Sequence, residues 1–95
     1  SSHSYAMKSA AGFGWTVAEA VSDAGLYRIS LKGHGRSHAM GVQKLSDGQF
    51  KFMDPNSGEF HLSDADALDA VLTRSAEKMG YARDASAFEI HRLSH

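Results

Sequence analysis

The sequence predicts an α+β chain with a mainly antiparallel sheet of about four strands flanked by two helices. Three observations predict it. The runs Leu26 to Lys32 and Ala87 to Leu93 alternate apolar and polar residues, the period of a half-buried strand. Two short runs, His38 to Leu45 and Gln49 to Asp54, are joined by Ser46-Asp47-Gly48, and Asp-Gly between alternating runs marks a hairpin. Leu68, Val71, Leu72, Ala76 and Met79 recur at spacings of three and four, the signature of a helix with one apolar face.

In chain order, Ser1 to Met7 is rich in Ser and His, and residues 1–8 are expected to be an appended remnant or a frayed end outside the fold. A first helix is expected over Thr16 to Ala24. Thr16 and Glu19 form a capping box there, Val17, Ala20, Val21 and Ala24 share a face, and Gly25 stops it. Strand Leu26 to Lys32 places Tyr27, Ile29 and Leu31 on one side. The glycine-rich turn Gly33 to Ser37 leads into the hairpin, and Pro55-Asn56-Ser57-Gly58 turns the chain toward a short strand with Phe60 and Leu62. Ser63 with Asp66 caps the second helix, Gly80 ends it, and the last strand sets Phe88 and Ile90 against Glu89 and His91. The expected core is Val17, Val21, Ile29, Leu31, Val42, Phe50, Phe52, Leu68, Val71, Leu72 and Ile90.

With 95 residues, 42% of them hydrophobic and 22% charged, the chain has the size and composition of a single globular domain. Its formal charge of -1 provides no field to attract a nucleic-acid backbone or an anionic membrane. No stretch approaches the ~18 apolar residues of a membrane span. The absence of cysteine excludes a disulfide framework, a thiolate zinc site and a thiol nucleophile within this chain. Six histidines raise the question of a metal, but a spacing of four aligns His34 and His38 only on a helix, and glycines flank His34. Neither a metal nor a cofactor is expected. His3, His91 and His95 read as bystanders.

The sharper pair is His38 with Asp54, because a carboxylate that orients an imidazole and stabilises its cation is the supporting half of a nucleophile, His, Asp triad. Register bears on it. With a three-residue loop at Ser46 to Gly48, Leu45 pairs with Gln49 and Asp54 falls opposite Met40, on the face that carries His38 and at a diagonal of about 7 to 8 Å. A two-residue loop puts the two side chains on opposite faces. The plainer reading of the same residues is a surface histidine and an aspartate that only initiates the Asp-Pro-Asn turn.

The segment GRSHAMGVQKLSDGQFKFMDPNSGEFHL, Gly35 to Leu62, resembles the His and Asp region of the YopT/AvrPphB-type bacterial cysteine proteases. That family carries a Gly-rich turn, a His beginning a hydrophobic strand, a short hairpin and an aromatic-rich strand ending in Asp-Pro-Asn, with Gly-Glu-Phe close behind. The resemblance implies that the chain is the C-terminal lobe of a papain-like fold, with His38 as general base and Asp54 as its orienting carboxylate. It further implies a cysteine nucleophile on a helix of another lobe, and the chain is expected to be part of a longer protein that supplies it. Ser9 and Ser22 precede His38, but neither is expected to begin a helix after a glycine motif, as a nucleophile would.

The implied function is amide hydrolysis by an effector or toxin secreted by bacteria into the host cytosol. It would cleave a host protein, such as a small GTPase or a kinase, or process itself. Two alternatives stay open, a papain-like glutamine deamidase and a non-catalytic protein-binding module.

Overall fold

The structure, a computed structural model, describes residues 2–33 and 36–94. Its elements are β1 (Ser2–Ala6), α1 (Ala10–Ala20), β2 (Gly25–Gly33), β3 (Arg36–Lys44), β4 (Phe50–Asp54), β5 (Gly58–Leu62), α2 (Ala65–Met79), α3 (Tyr81–Asp84) and β6 (Ala87–Ser94). The strands form one sheet in the order β1-β6-β2-β3-β4-β5, with every neighbouring pair antiparallel. The α+β class is the one expected, with six strands rather than about four and a third, one-turn helix. Among the described residues no helix is long and apolar enough to cross a membrane.

The helices cover one face of the sheet. Tyr27, Ile29 and Leu31 from β2, Met40 and Val42 from β3, Phe50 and Phe52 from β4, and Phe88 and Ile90 from β6 are buried with Phe13 and Val17 of α1 and Leu68, Leu72 and Ala76 of α2. These positions alternate along each strand, so Arg28 and Lys32 on the other face are exposed. Of the expected core only Val71 is partly exposed, packed against the cluster from its rim.

Three expectations are corrected. Residues 2–6 do not lie outside the fold: they form β1, which pairs with β6 from Ser2↔His91 to Ala6↔Ala87 and stacks Tyr5 on Phe88 at 5.3 Å. The first helix begins at Ala10, not Thr16; Ser9 is its N-cap, its Oγ accepting from Gly12 N–H at 2.9 Å. Gly14, one of the glycines that disguised this helix, lets it approach its neighbour, since a Cβ there would clash with Thr73 Oγ1 and stand 2.8 Å from the Asp69 carbonyl oxygen of α2. The second helix is capped by Asp64, whose carboxylate accepts from Ala67 N–H at 2.8 Å, rather than by Ser63.

The β3–β4 hairpin has the register that the three-residue loop predicts. Gly41↔Met53, Val42↔Phe52, Gln43↔Lys51 and Lys44↔Phe50 pair, and Leu45 N–H donates to the Gln49 carbonyl at 2.9 Å.

Candidate active site

Continuing that register by one step sets Asp54 opposite Met40, on the inner face with Phe50 and Phe52. His38, which faces Leu31 of β2 across the ladder, points to the same face, near the end of the sheet. The two side chains meet there: His38 Nε2 lies 2.7 Å from Asp54 Oδ1. The imidazole is 23% exposed, whereas the carboxylate is fully buried, so it meets the ring out of contact with water.

Asp54 also initiates the turn. Asn56 N–H donates to Oδ1 at 3.0 Å, Ser57 Oγ donates to Oδ2 at 3.3 Å, and Ser57 N–H donates to the Asp54 carbonyl at 3.0 Å. The turn-forming aspartate and the histidine partner are therefore one residue, and the turn fixes the carboxylate that the imidazole meets.

A residue that sequence reasoning missed completes the cluster. Gly80 adopts φ 72°, a left-handed conformation that favours glycine, and so ends α2 and starts α3 in one step. Tyr81 directly follows, 6% exposed, and its hydroxyl donates to Asp54 Oδ2 at 2.6 Å, lies 3.1 Å from His38 Nε2 and accepts from Asn56 Nδ2 at 3.2 Å. The signal in the sequence was slight: a tyrosine just past a helix-ending glycine, with a polar tip that needs a partner when buried.

Burial alone would push the Asp54 carboxyl up, but hydrogen bonds from Tyr81, Asn56 N–H and His38 outweigh it and hold the group below its ordinary value. Burial, then the contact with Asp54, pushes the Tyr81 phenol up, so it stays protonated as a donor. An ionised carboxylate only accepts, so the nitrogen facing Asp54 carries a proton. When neutral, such a ring can accept a proton at Nδ1, and a carboxylate at Nε2 is placed to stabilise the cation that results. The ring borders a cleft of about 310 Å³, walled also by Leu31, Ser37, Met79 and Ala85.

The remaining candidates gather elsewhere. His61 pairs with Glu59 on β5 at 3.1 Å, and His91 bonds Ser2 Oγ. His34 and His95 lie outside the described residues. Among the described residues no group of three or more His, Asp or Glu side chains is placed to hold a metal ion. Ser9 begins a helix as the cap of α1, but no glycine motif precedes it.

Residues 15–91 match the family described as peptidase C58, the Yersinia/Haemophilus virulence surface antigens. Among solved structures the chain is similar to the Pseudomonas avirulence protein AvrPphB, with a TM-score of 0.76 and 26% identity. That similarity covers 100% of this chain and 52% of AvrPphB, so the chain spans about half of that protein. A comparison with curated proteins gives no match.

Proposed function

Because this chain belongs to the peptidase C58 family of Yersinia/Haemophilus virulence surface antigens, we infer that it carries the base half of a cysteine-peptidase active site, with the nucleophile supplied from outside it. The observation that carries this reading is the 2.7 Å contact of a half-buried imidazole with a buried carboxylate at the edge of a cleft. The family and the similarity to AvrPphB support a bacterial virulence effector of the YopT/AvrPphB type.

In this reading His38 Nδ1 takes the proton of a cysteine thiol, and Asp54 at Nε2 stabilises the resulting imidazolium. The thiolate attacks an amide carbonyl, the imidazolium returns its proton to the leaving amine, and water then releases the acyl group with His38 again as base. The oxyanion donors and most of the substrate groove lie with the nucleophile. The substrate is a host protein, a small GTPase or a kinase, or the effector's own chain, reached in the host cytosol after secretion.

Reconstitution tests the reading. The chain alone should hydrolyse no amide, and activity should appear when the cysteine-bearing part is joined to it or supplied in trans. Unchanged inertness of the joined protein toward every host target it binds would favour a binding module instead. Release of ammonia without chain cleavage would assign a glutamine deamidase built on the same three groups.

A further inference from the structure

We propose that Tyr81 is a positioning residue for the His38–Asp54 pair, its hydroxyl holding the carboxylate and the imidazole in the one orientation that leaves Nδ1 as the base. This rests on the reading of His38 as the base. A buried tyrosine needs one polar partner, but this one has three, and two of them are the members of the pair. A phenol has one proton and two lone pairs. The proton goes to Asp54 Oδ2, the shortest contact at 2.6 Å, and the lone pairs face Asn56 Nδ2 and the Nε2–H of His38.

The consequence is geometric. Rotation of a carboxylate about its last torsion is soft. Asn56 N–H anchors Oδ1 and Tyr81 anchors Oδ2, so the carboxylate plane is fixed from both ends. Among the described residues the only other bond to Oδ2 is the longer one from Ser57 at 3.3 Å. The phenol ring lies 5.3 Å from the imidazole, tilted by 32°, and stands against it on the Nε2 side. Turning the ring over would put Cε1–H in place of Nε2–H against the phenol and Asp54 and lose the Nε2–H bonds. The joint at Gly80 makes this possible, since its left-handed turn brings the first residue of α3 under the end of the sheet.

Among the described residues the titratable groups at the hydroxyl are His38 on β3 and Asp54 on β4, with Asp84 of α3 on the same cleft, 2.8 Å from Arg83. Tyr81→Phe therefore removes one bond to Asp54 and one to His38 while keeping the ring. Nuclear magnetic resonance on this chain reads both. The Asp54 carboxyl carbon should titrate about one pH unit higher in the variant, and the Nε2 proton of His38 should exchange with water about tenfold faster. A merely structural tyrosine would lower the melting temperature and move neither.

Should the variant not fold, 3-fluorotyrosine at position 81 keeps the packing and is the stronger donor, so the Asp54 midpoint should move down instead. In the protein joined to its nucleophile, Tyr81→Phe should lower kcat about tenfold and leave KM within about twofold, as for loss of orientation rather than of binding. An unmoved Asp54 midpoint in both variants overturns the proposal. Full turnover in His38→Ala overturns the assignment of the base. A dead His38→Ala beside an unimpaired Tyr81→Phe overturns the Tyr81 proposal alone.

Discussion

Replacing Asp54 by Asn removes a charge and very little volume, so it isolates what the carboxylate does for His38. The structure also says how the amide must sit. Asn56 N–H donates to the Oδ1 position at 3.0 Å, which places the amide oxygen there and keeps it facing His38 Nε2. The amide nitrogen then faces the hydroxyls of Tyr81 and Ser57, which can turn to accept. The imidazole thus keeps its tautomer and loses the charge beside it.

At an effective dielectric of about 20, unit charges at the observed 2.7 Å interact by about 6 kcal/mol. A hydrogen bond from the imidazolium to the neutral amide retains about 1.5 to 3 kcal/mol of this. The remaining loss, about 3 to 4.5 kcal/mol, lowers kcat by about 10² to 10³. That is less than the ~10⁴ of the corresponding change in serine proteases, where the wrong tautomer adds to the damage. The assay is the turnover of a cleaved protein substrate by the intact effector, with a thermal melt to show that the variant folds. A kcat within threefold of wild type would refute the reasoning.

Two further outcomes follow from the same packing. Phe52 is fully buried, faces Val42 across the ladder and stacks on Phe60 with ring centroids 5.8 Å apart. Phe52→Ala should cost about 3 to 5 kcal/mol by denaturant titration, a loss under about 1 kcal/mol meaning that the ring is not in the core. Asp54 sits below its ordinary 3.8 because folding gives its anion hydrogen bonds. The stability it contributes is therefore full above pH 3.8 and lost as pH falls through its lower folded value. Melts from pH 4 to 2 should show a wild-type advantage over Asp54→Asn that shrinks as pH falls. An advantage growing toward acid would contradict the sign.

Where the sequence was legible, one local signal sufficed. Strand β2 alternates cleanly, Asp47-Gly48 sets the hairpin loop, and α2 repeats its apolar residues until Gly80. The hairpin register then placed His38 and Asp54 on one face, and their contact is a consequence of that register. What escaped depends on residues distant in the chain. The run Ser2–Ala6 has no strand periodicity of its own and is a strand because β6 offers it a ladder. Gly12 and Gly14 disfavour a helix locally, and the closeness of α2 to Gly14 explains what the second of them does there. Tyr81 is far from both His38 and Asp54 in sequence, and only the joint between α2 and α3 makes it their neighbour.

The central claim is that His38 converts a cysteine from outside this chain into a thiolate, and the rate of alkylation of that cysteine by iodoacetamide tests it without a substrate. In the intact effector the pH profile of alkylation should rise well below the ~8.5 of a free thiol, because an imidazolium beside it stabilises the thiolate. His38→Ala should return the midpoint to about 8.5. Superimposable profiles for the wild type and His38→Ala would show that the imidazole held by Asp54 does not meet the nucleophile, and the account would fail.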